Sequence, residues 1–483
     1  MATEGAMSEI KDVNRAPSAA AALFSRLKGL WREIAGADGA GQLPALSPHL
    51  GEADMELLRA QMRACLAAKG GEVSARARAA GLGRAYLSLS AAGRLRFLLL
   101  LAGEFGPDRA VVDQAARALA EAADDAGRAK AEQRLRAALE PPRLKLLTQF
   151  NALPEGVKFL VDLRAELMRL AVGEPVLAAL ESDLRGLLAS WFDVGFLEME
   201  CITWRSPALV LEKIMAYEAV HAIQGWGDLK NRLDSDRRLY AFFHPRMPDE
   251  PLIFVEVALV KSMADNVQDL LDTAAPLGDA EAADTAIFYS INNAQRGLAG
   301  ISFGNFLIKK VVDDLSRQFP QIKTFATLSP LPGFAKWLNQ RLVEGEAGLL
   351  NAAEHKALTR MSNGLGAKGS LKTLLSDPGW TADPRLAEAV QPILIRLAAR
   401  YLTREKRAGA CQALDPVAHF HLSNGARVER LNWMADRSAN GLTQSAGLMV
   451  NYLYDLGDIE ANHEAYSASG AVAMSGRIKA LVK

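Results

Sequence analysis

Three glycines, a serine and a histidine carry the most chemistry in their types and spacing. Gly297, Gly300 and Gly304 follow a short apolar and aromatic run at 287–291, and Ser329 ends a second run at 322–328. His421 lies further on, in the segment VAHFHL. Glycine has no Cβ, so its backbone N–H can approach a ligand closely. Past the loop, Phe303, Leu307, Val311 and Leu315 recur at helical spacing. A glycine loop that feeds a helix N-terminus offers unpaired N–H donors and a positive dipole end, which suits a pyrophosphate. Ser329 would then bring a hydroxyl beside that cradle. Taken alone the signal is weak. No Gly-Lys-Ser/Thr closes the loop, its glycines are not spaced as in the dinucleotide fingerprint, and ordinary strand-to-helix turns share the punctuation. Likewise, a serine before proline reads as a turn residue, and a histidine in VAHFHL as a strand residue satisfied by its neighbours.

The elements that must position these residues follow from length and pattern. A chain of 483 residues is too long for one ordinary core, so two domains are expected. Residues 1–18 lack an apolar period and are expected to be disordered, and 19–188 read as a helical domain with packing and self-association roles. One helix is expected over 110–139, ended by Pro141-Pro142. The texture changes near Trp191, and 189–483 read as an α/β domain with a mainly helical insert at 335–402. Strands are expected at 239–243, 252–260, 286–291, 322–328, 418–422, 426–433 and 448–454. Alternation along 418–422 would put His419 and His421 on one face.

Lys plus Arg equals Asp plus Glu at 56 each, which argues against a nucleic-acid partner. Cys65, Cys201 and Cys411 are few and scattered, so no disulfide framework is expected and a reducing cytoplasm is the natural setting. The longest apolar run, 97–102, is far short of a membrane span. No secretory signal or peroxisomal address is read at either end. The seven histidines and three cysteines form no metal-ligand set beyond the pair His419 and His421, so no metal is expected.

The glycine loop resembles the coenzyme A loop of the GCN5-related acetyltransferases, although its glycines are spaced differently. Longer blocks extend the likeness: EGVKFLVDLRAEL at 155–167, LSPLPGF at 328–334, DPVAHFHLSN at 415–424, LNWMAD at 431–436 and GLTQSAGLMVNYLY at 441–454. In this order they resemble the malonyl-CoA decarboxylase family over most of the chain. The resemblance implies an α+β protein, with an all-α N-terminal domain followed by an acetyltransferase-like domain whose mixed sheet is mostly antiparallel. It implies a carboxy-lyase acting on malonyl-CoA, with Ser329 and His421 as catalytic positions and His421 protonating the carbanion. Tyr454 could donate to the enolate, with core packing the nearly equal alternative. Gly297, Leu298, Ala299, Gly300, Ile301, Ser302 and Gly304 would hold the coenzyme, and Asn432 and Asn451 would position groups through their amides. Animal members carry Glu where this chain has Ser302, so any role for that carboxylate is absent or moved here. No cofactor is expected, since coenzyme A belongs to the substrate and its thioester carbonyl is the electron sink. The competing readings are a coenzyme A-dependent acyltransferase of the same fold and a non-catalytic acyl-CoA-binding protein.

Overall fold

The computed structural model describes residues 19–36, 41–68, 70–301, 306–362, 371–376 and 378–483. Residues 1–18, Ser302 and Gly304 lie outside the described residues. The chain divides into two compact units: Met1–Leu197 with His244–Glu250 and Gln295–Ser302, and the remainder.

Among the described residues the first unit is helical: α1 (Ala19–Gly36), α2 (Glu52–Leu66), α3 (Gly71–Ser88), α4 (Ala91–Glu104), α5 (Arg109–Ala120), α6 (Asp125–Leu139), α7 (Pro142–Asn151), α8 (Gly156–Leu170) and α9 (Pro175–Trp191). Its core is mostly aliphatic, with an aromatic cluster inside it. Trp31 meets Phe159 edge-on at 5.0 Å, and Gly83 is required beside it, since a Cβ there would come within 2.2 Å of the indole. The single helix expected over 110–139 is two. Asp124 accepts from the N–H of Gly127 and so starts α6 afresh, and Pro142 opens α7 at a position where its missing donor costs nothing.

The glycine loop belongs to this unit. Arg164 on α8 is buried and donates to the carbonyl of Gly297 at 2.6 Å and to Glu181 at 2.9 Å. Any Cβ on Gly297 would lie 1.8 Å from the carbonyl oxygen of Val161. Close packing on α8 therefore accounts for that glycine by itself.

The second unit holds an eight-stranded sheet: β1 (Glu198–Ile202), β2 (Arg237–Phe243), β3 (Ile253–Val260), β4 (Thr285–Asn293), β5 (Thr324–Thr327), β6 (Ser329–Pro330), β7 (Arg427–Asn432) and β8 (Met449–Leu453). Their order is β1-β2-β3-β4-β5-β8-β6, with β7 also on β8. Among the named strands of the described residues only β4 and β5 pair parallel, joined through α13, which spans Phe306–Gln318. The other helices before β6 are α10 (Ala208–Tyr217), α11 (Trp226–Arg232) and α12 (Val267–Leu271). Four more follow β6: α14 (Phe334–Glu344), α15 (Ala352–Ser362), α16 (Leu371–Ser376) and α17 (Pro384–Thr403). The chain then forms α18 (Pro416–Ser423), α19 (Ala439–Ser445), α20 (Ile459–Ser469) and α21 (Gly476–Leu481). The α+β class expected from sequence is the class observed.

The local break in this sheet makes room for chemistry. β4 and β5 stay paired from Thr285↔Thr324 to Phe288↔Thr327 and then part. β4 continues along β3 to Asn293, past an irregularity that leaves Tyr289 unpaired. Beyond Thr327 the chain leaves β4 and stays on β8, which already faces β5 at Ala326, with Ser329 opposite Val450. The strands therefore diverge just where Ser329 begins.

Candidate active site

His421 is not on a strand. It lies on α18, because Asp415 caps that helix by accepting from the N–H groups of Val417 and Ala418, and Pro416 supplies a preset first turn. The apolar run VAHFHL suggested a strand, but the Asp-Pro start signal decides the local structure. Two helical residues stand about 200° apart, so His419 and His421 face different ways. His419 meets the hydroxyls of Tyr466 at 3.0 Å and Ser423 at 3.2 Å.

α18 and β6 bring Ser329 and His421 together across 92 residues of sequence, with Oγ to Nε2 at 3.1 Å. Both side chains are buried. Ser329 also donates to Thr327 Oγ1 at 2.9 Å. The other imidazole nitrogen, Nδ1, lies 2.8 Å from the hydroxyl of Tyr454. Tyr452 stacks on the ring, with centroids 4.5 Å apart and planes 25° off parallel.

Burial sets the proton positions. It pushes the His421 imidazole down to about 3, so the ring is neutral at physiological pH, and it pushes the Tyr454 hydroxyl well above its usual range. Tyr454 therefore keeps its proton. Among the described residues its partner is Nδ1, so the hydrogen-bond network assigns the ring hydrogen to Nε2. The chain of donors then runs Tyr454 to His421 to Ser329 to Thr327.

Ser329 and His421 line a cavity of about 250 Å³ whose other walls include Val220, Ser290, Ile291 and Phe420. A larger cavity of about 370 Å³ beside α14 and Trp380 contains neither of them. Behind the far wall, Glu218 accepts from Ser290 Oγ at 2.9 Å and from Asn292 Nδ2 at 2.6 Å. Glu256 is fully buried nearby against Arg232 at 3.1 Å, and burial pushes its carboxyl up to about 8.

Tyr454 lies against Nδ1 of His421 and is not among the residues that line the cavity. Asn432 is buried and turned to Asn451 at 2.8 Å, and Asn451 in turn donates to the carbonyl of Thr327 at 2.7 Å. Together the amides brace the end of β5, two residues before Ser329, and neither is among the residues that line the cavity. Gly297 and Leu298 are buried, whereas Ala299 and Gly300 are exposed. Gly300 has φ +74°, a conformation that favours glycine. Ile301 is buried, and Arg185 reaches the Gly300 carbonyl at 3.2 Å. Sequence reasoning missed Thr327 and Asp415. Thr327, two residues before Ser329 on one strand face, and the Asp-Pro pair were the available signals.

Among the described residues no group of three or more His, Cys, Asp or Glu is placed to hold a metal ion. None of their helices is long and apolar enough to cross a membrane. The three cysteine thiols are free.

Comparison with known proteins places this geometry among relatives. The family described as malonyl-CoA decarboxylase C-terminal domain matches residues 195–483, and the corresponding N-terminal domain matches 105–192. The mitochondrial malonyl-CoA decarboxylase of Rattus norvegicus is 42% identical over 407 residues, 81% of this chain and 82% of its own. That of Anser anser anser is 38% identical over 421 residues, 84% and 83% respectively. Among solved structures, malonyl-CoA decarboxylase from Rhodopseudomonas palustris superposes with a TM-score of 0.81 at 44% identity, covering 88% of this chain and 99% of that one. The Agrobacterium vitis protein gives 0.79 at 43% identity with the same coverage.

Proposed function

The chain belongs to the malonyl-CoA decarboxylase family, and from that premise we propose that it converts malonyl-CoA to acetyl-CoA and carbon dioxide in the cavity of Ser329 and His421. The observation that carries the proposal is the buried hydroxyl–imidazole pair at 3.1 Å on the wall of the cavity where β4 and β5 part.

Decarboxylation breaks the bond between the carboxylate carbon and C2, and its electron pair passes into the thioester carbonyl to give an enolate. The carbonyl is itself the sink, so the chemistry needs no separate cofactor. The protein must align the breaking bond with the carbonyl π system and aim donors at the oxygen where charge grows. Nε2–H of His421 and Oγ–H of Ser329 are the donors on the wall. Burial keeps His421 neutral, whereas a malonyl carboxylate bound beside it would supply the counter-charge that favours imidazolium. Substrate binding would thus load a proton onto the ring from solvent. After carbon dioxide leaves, Nε2 gives its proton to C2, leaving acetyl-CoA and an imidazole protonated at Nδ1; proton exchange with solvent then returns the ring to its resting Nε2–H form. Tyr454 serves the ring throughout: it donates to Nδ1 of the resting form and accepts from Nδ1–H of the cation and of the tautomer left by proton transfer.

On the sequence resemblance alone, residues 297–304 stay the proposed phosphate loop. A reducing, cytoplasmic setting is proposed from the free thiols, although the curated animal relatives are named mitochondrial. Self-association is proposed for the helical unit from exposed Val73, Val111, Val172 and Val176, and sedimentation at two protein concentrations tests it. For the activity itself, malonyl-CoA is incubated with and without an amine acceptor and the products are weighed by mass spectrometry. Acetyl-CoA formed without acceptor is the expected result. Turnover only with acceptor would instead mark an acyltransferase, and binding without turnover an acyl-CoA sensor.

A further inference from the structure

Asp415 is wholly buried and ties together three segments that approach the cavity from different parts of the sequence. One carboxylate oxygen accepts from the N–H groups of Val417 and Ala418, both at 2.9 Å, and so fixes the start of the helix that carries His421. The other accepts from the hydroxyl of Tyr401 on α17 at 3.1 Å. Burial raises the Asp415 carboxyl above its ordinary value, and the backbone N–H of Gly333, four residues beyond Ser329, is among the donors that oppose that rise. Gly333 is pressed against the same hydroxyl: a Cβ there would lie 2.2 Å from Tyr401 Oη. Tyr401 is held in turn by Trp337 and Phe334, with ring centroids at 5.3 Å and 5.8 Å.

An ordinary helix cap would need only the first oxygen. The second joins the helix to the turn after Ser329, and α17 supplies the joining group. From this geometry we infer that Asp415 and Tyr401 are positioning residues, which hold α18 against the turn at Gly333 and thereby set the Ser329–His421 separation. The long helical segment between β6 and α18 is thus mechanically connected to the catalytic pair. Two chain segments that meet only through side chains need such a strut, because the hydrogen bond at 3.1 Å leaves little room for drift. This inference rests on the catalytic reading of Ser329 and His421.

Two variants test it on the full chain. Asp415→Asn replaces one acceptor by a donor facing donors already in place. Tyr401→Phe removes only the hydroxyl and keeps the ring among Phe334 and Trp337. The expected result is a fall in kcat of about a hundredfold for Asp415→Asn and about tenfold for Tyr401→Phe, with KM changed less than about twofold, as for small misplacements of reacting groups. In parallel, ¹⁵N resonances of the His421 ring should move in both variants, whether or not substrate is turned over. Variants that melt at a lower temperature but keep the wild-type kcat and His421 resonances would reduce Asp415 to a simple cap and overturn the inference. Should Asp415→Asn fail to fold, Tyr401→Phe decides alone. A wild-type chain inert toward malonyl-CoA would refute the catalytic reading instead, and the ring resonances would still judge the strut.

Discussion

Lowering the pH from 7 to 5 should destabilise the wild-type chain by about 2 kcal/mol more than it destabilises a His421→Asn variant. The magnitude follows from one imidazole. In the folded protein burial holds His421 down at about 3, while in the unfolded chain it titrates near its ordinary 6.5. The folded-state value is the lower one. The stabilisation is therefore complete above 6.5 and is lost as the pH falls, because the unfolded chain takes up a proton that the folded chain refuses. Over the whole interval the difference is about 3.5 units, or roughly 5 kcal/mol, and the part expressed between pH 7 and pH 5 is about 2 kcal/mol. Urea unfolding followed by tryptophan fluorescence, at both pH values and for both proteins, gives the double difference. Other titrating groups cancel in it. Equal losses for the two proteins, within about 0.5 kcal/mol, would mean that His421 is already charged or solvated in the fold, and the proton assignment would be wrong.

Two further outcomes are expected. Tyr454→Phe leaves Nδ1 of His421 without its partner, a loss of about 1–3 kcal/mol, so kcat should fall about ten- to a hundredfold with little change in KM; a selective rise in KM would show that Tyr454 touches substrate. Gly297→Ala forces a methyl against the Val161 carbonyl and should lower stability by about 1–3 kcal/mol in thermal melts, whereas an unchanged melt with a raised KM would return that glycine to a ligand role.

What the sequence made legible was mostly local. Strand, glycine loop and helix at 285–318 carried their own periodicity, and the helix pattern survives in buried Leu307, Val311 and Leu315. Ser329 was read as the end of the strand at 322–328, whereas Ser329 and Pro330 form the short strand β6 on β8. His421 was found by its block but set on the wrong element, since the four apolar residues of VAHFHL outweighed the Asp415-Pro416 start signal. Two relations could not be read at all. The meeting of Ser329 with His421 spans 92 residues and depends on where β4 and β5 part. The reason for Gly297 lies in the backbone of α8, more than a hundred residues away, where nothing in the loop's own spacing points.

The most direct measurement is kcat for carbon dioxide release from malonyl-CoA by the wild-type chain, Ser329→Ala and His421→Asn, with thioester affinity determined separately by calorimetry. Removing the proton carrier should cut turnover by about 10²–10⁴ while affinity stays near that of the wild type, and Ser329→Ala should fall in the same direction. Either variant turning over at the wild-type rate, or a wild-type chain that binds malonyl-CoA and releases no carbon dioxide, would contradict the assignment of the chemistry to this hydroxyl and this imidazole.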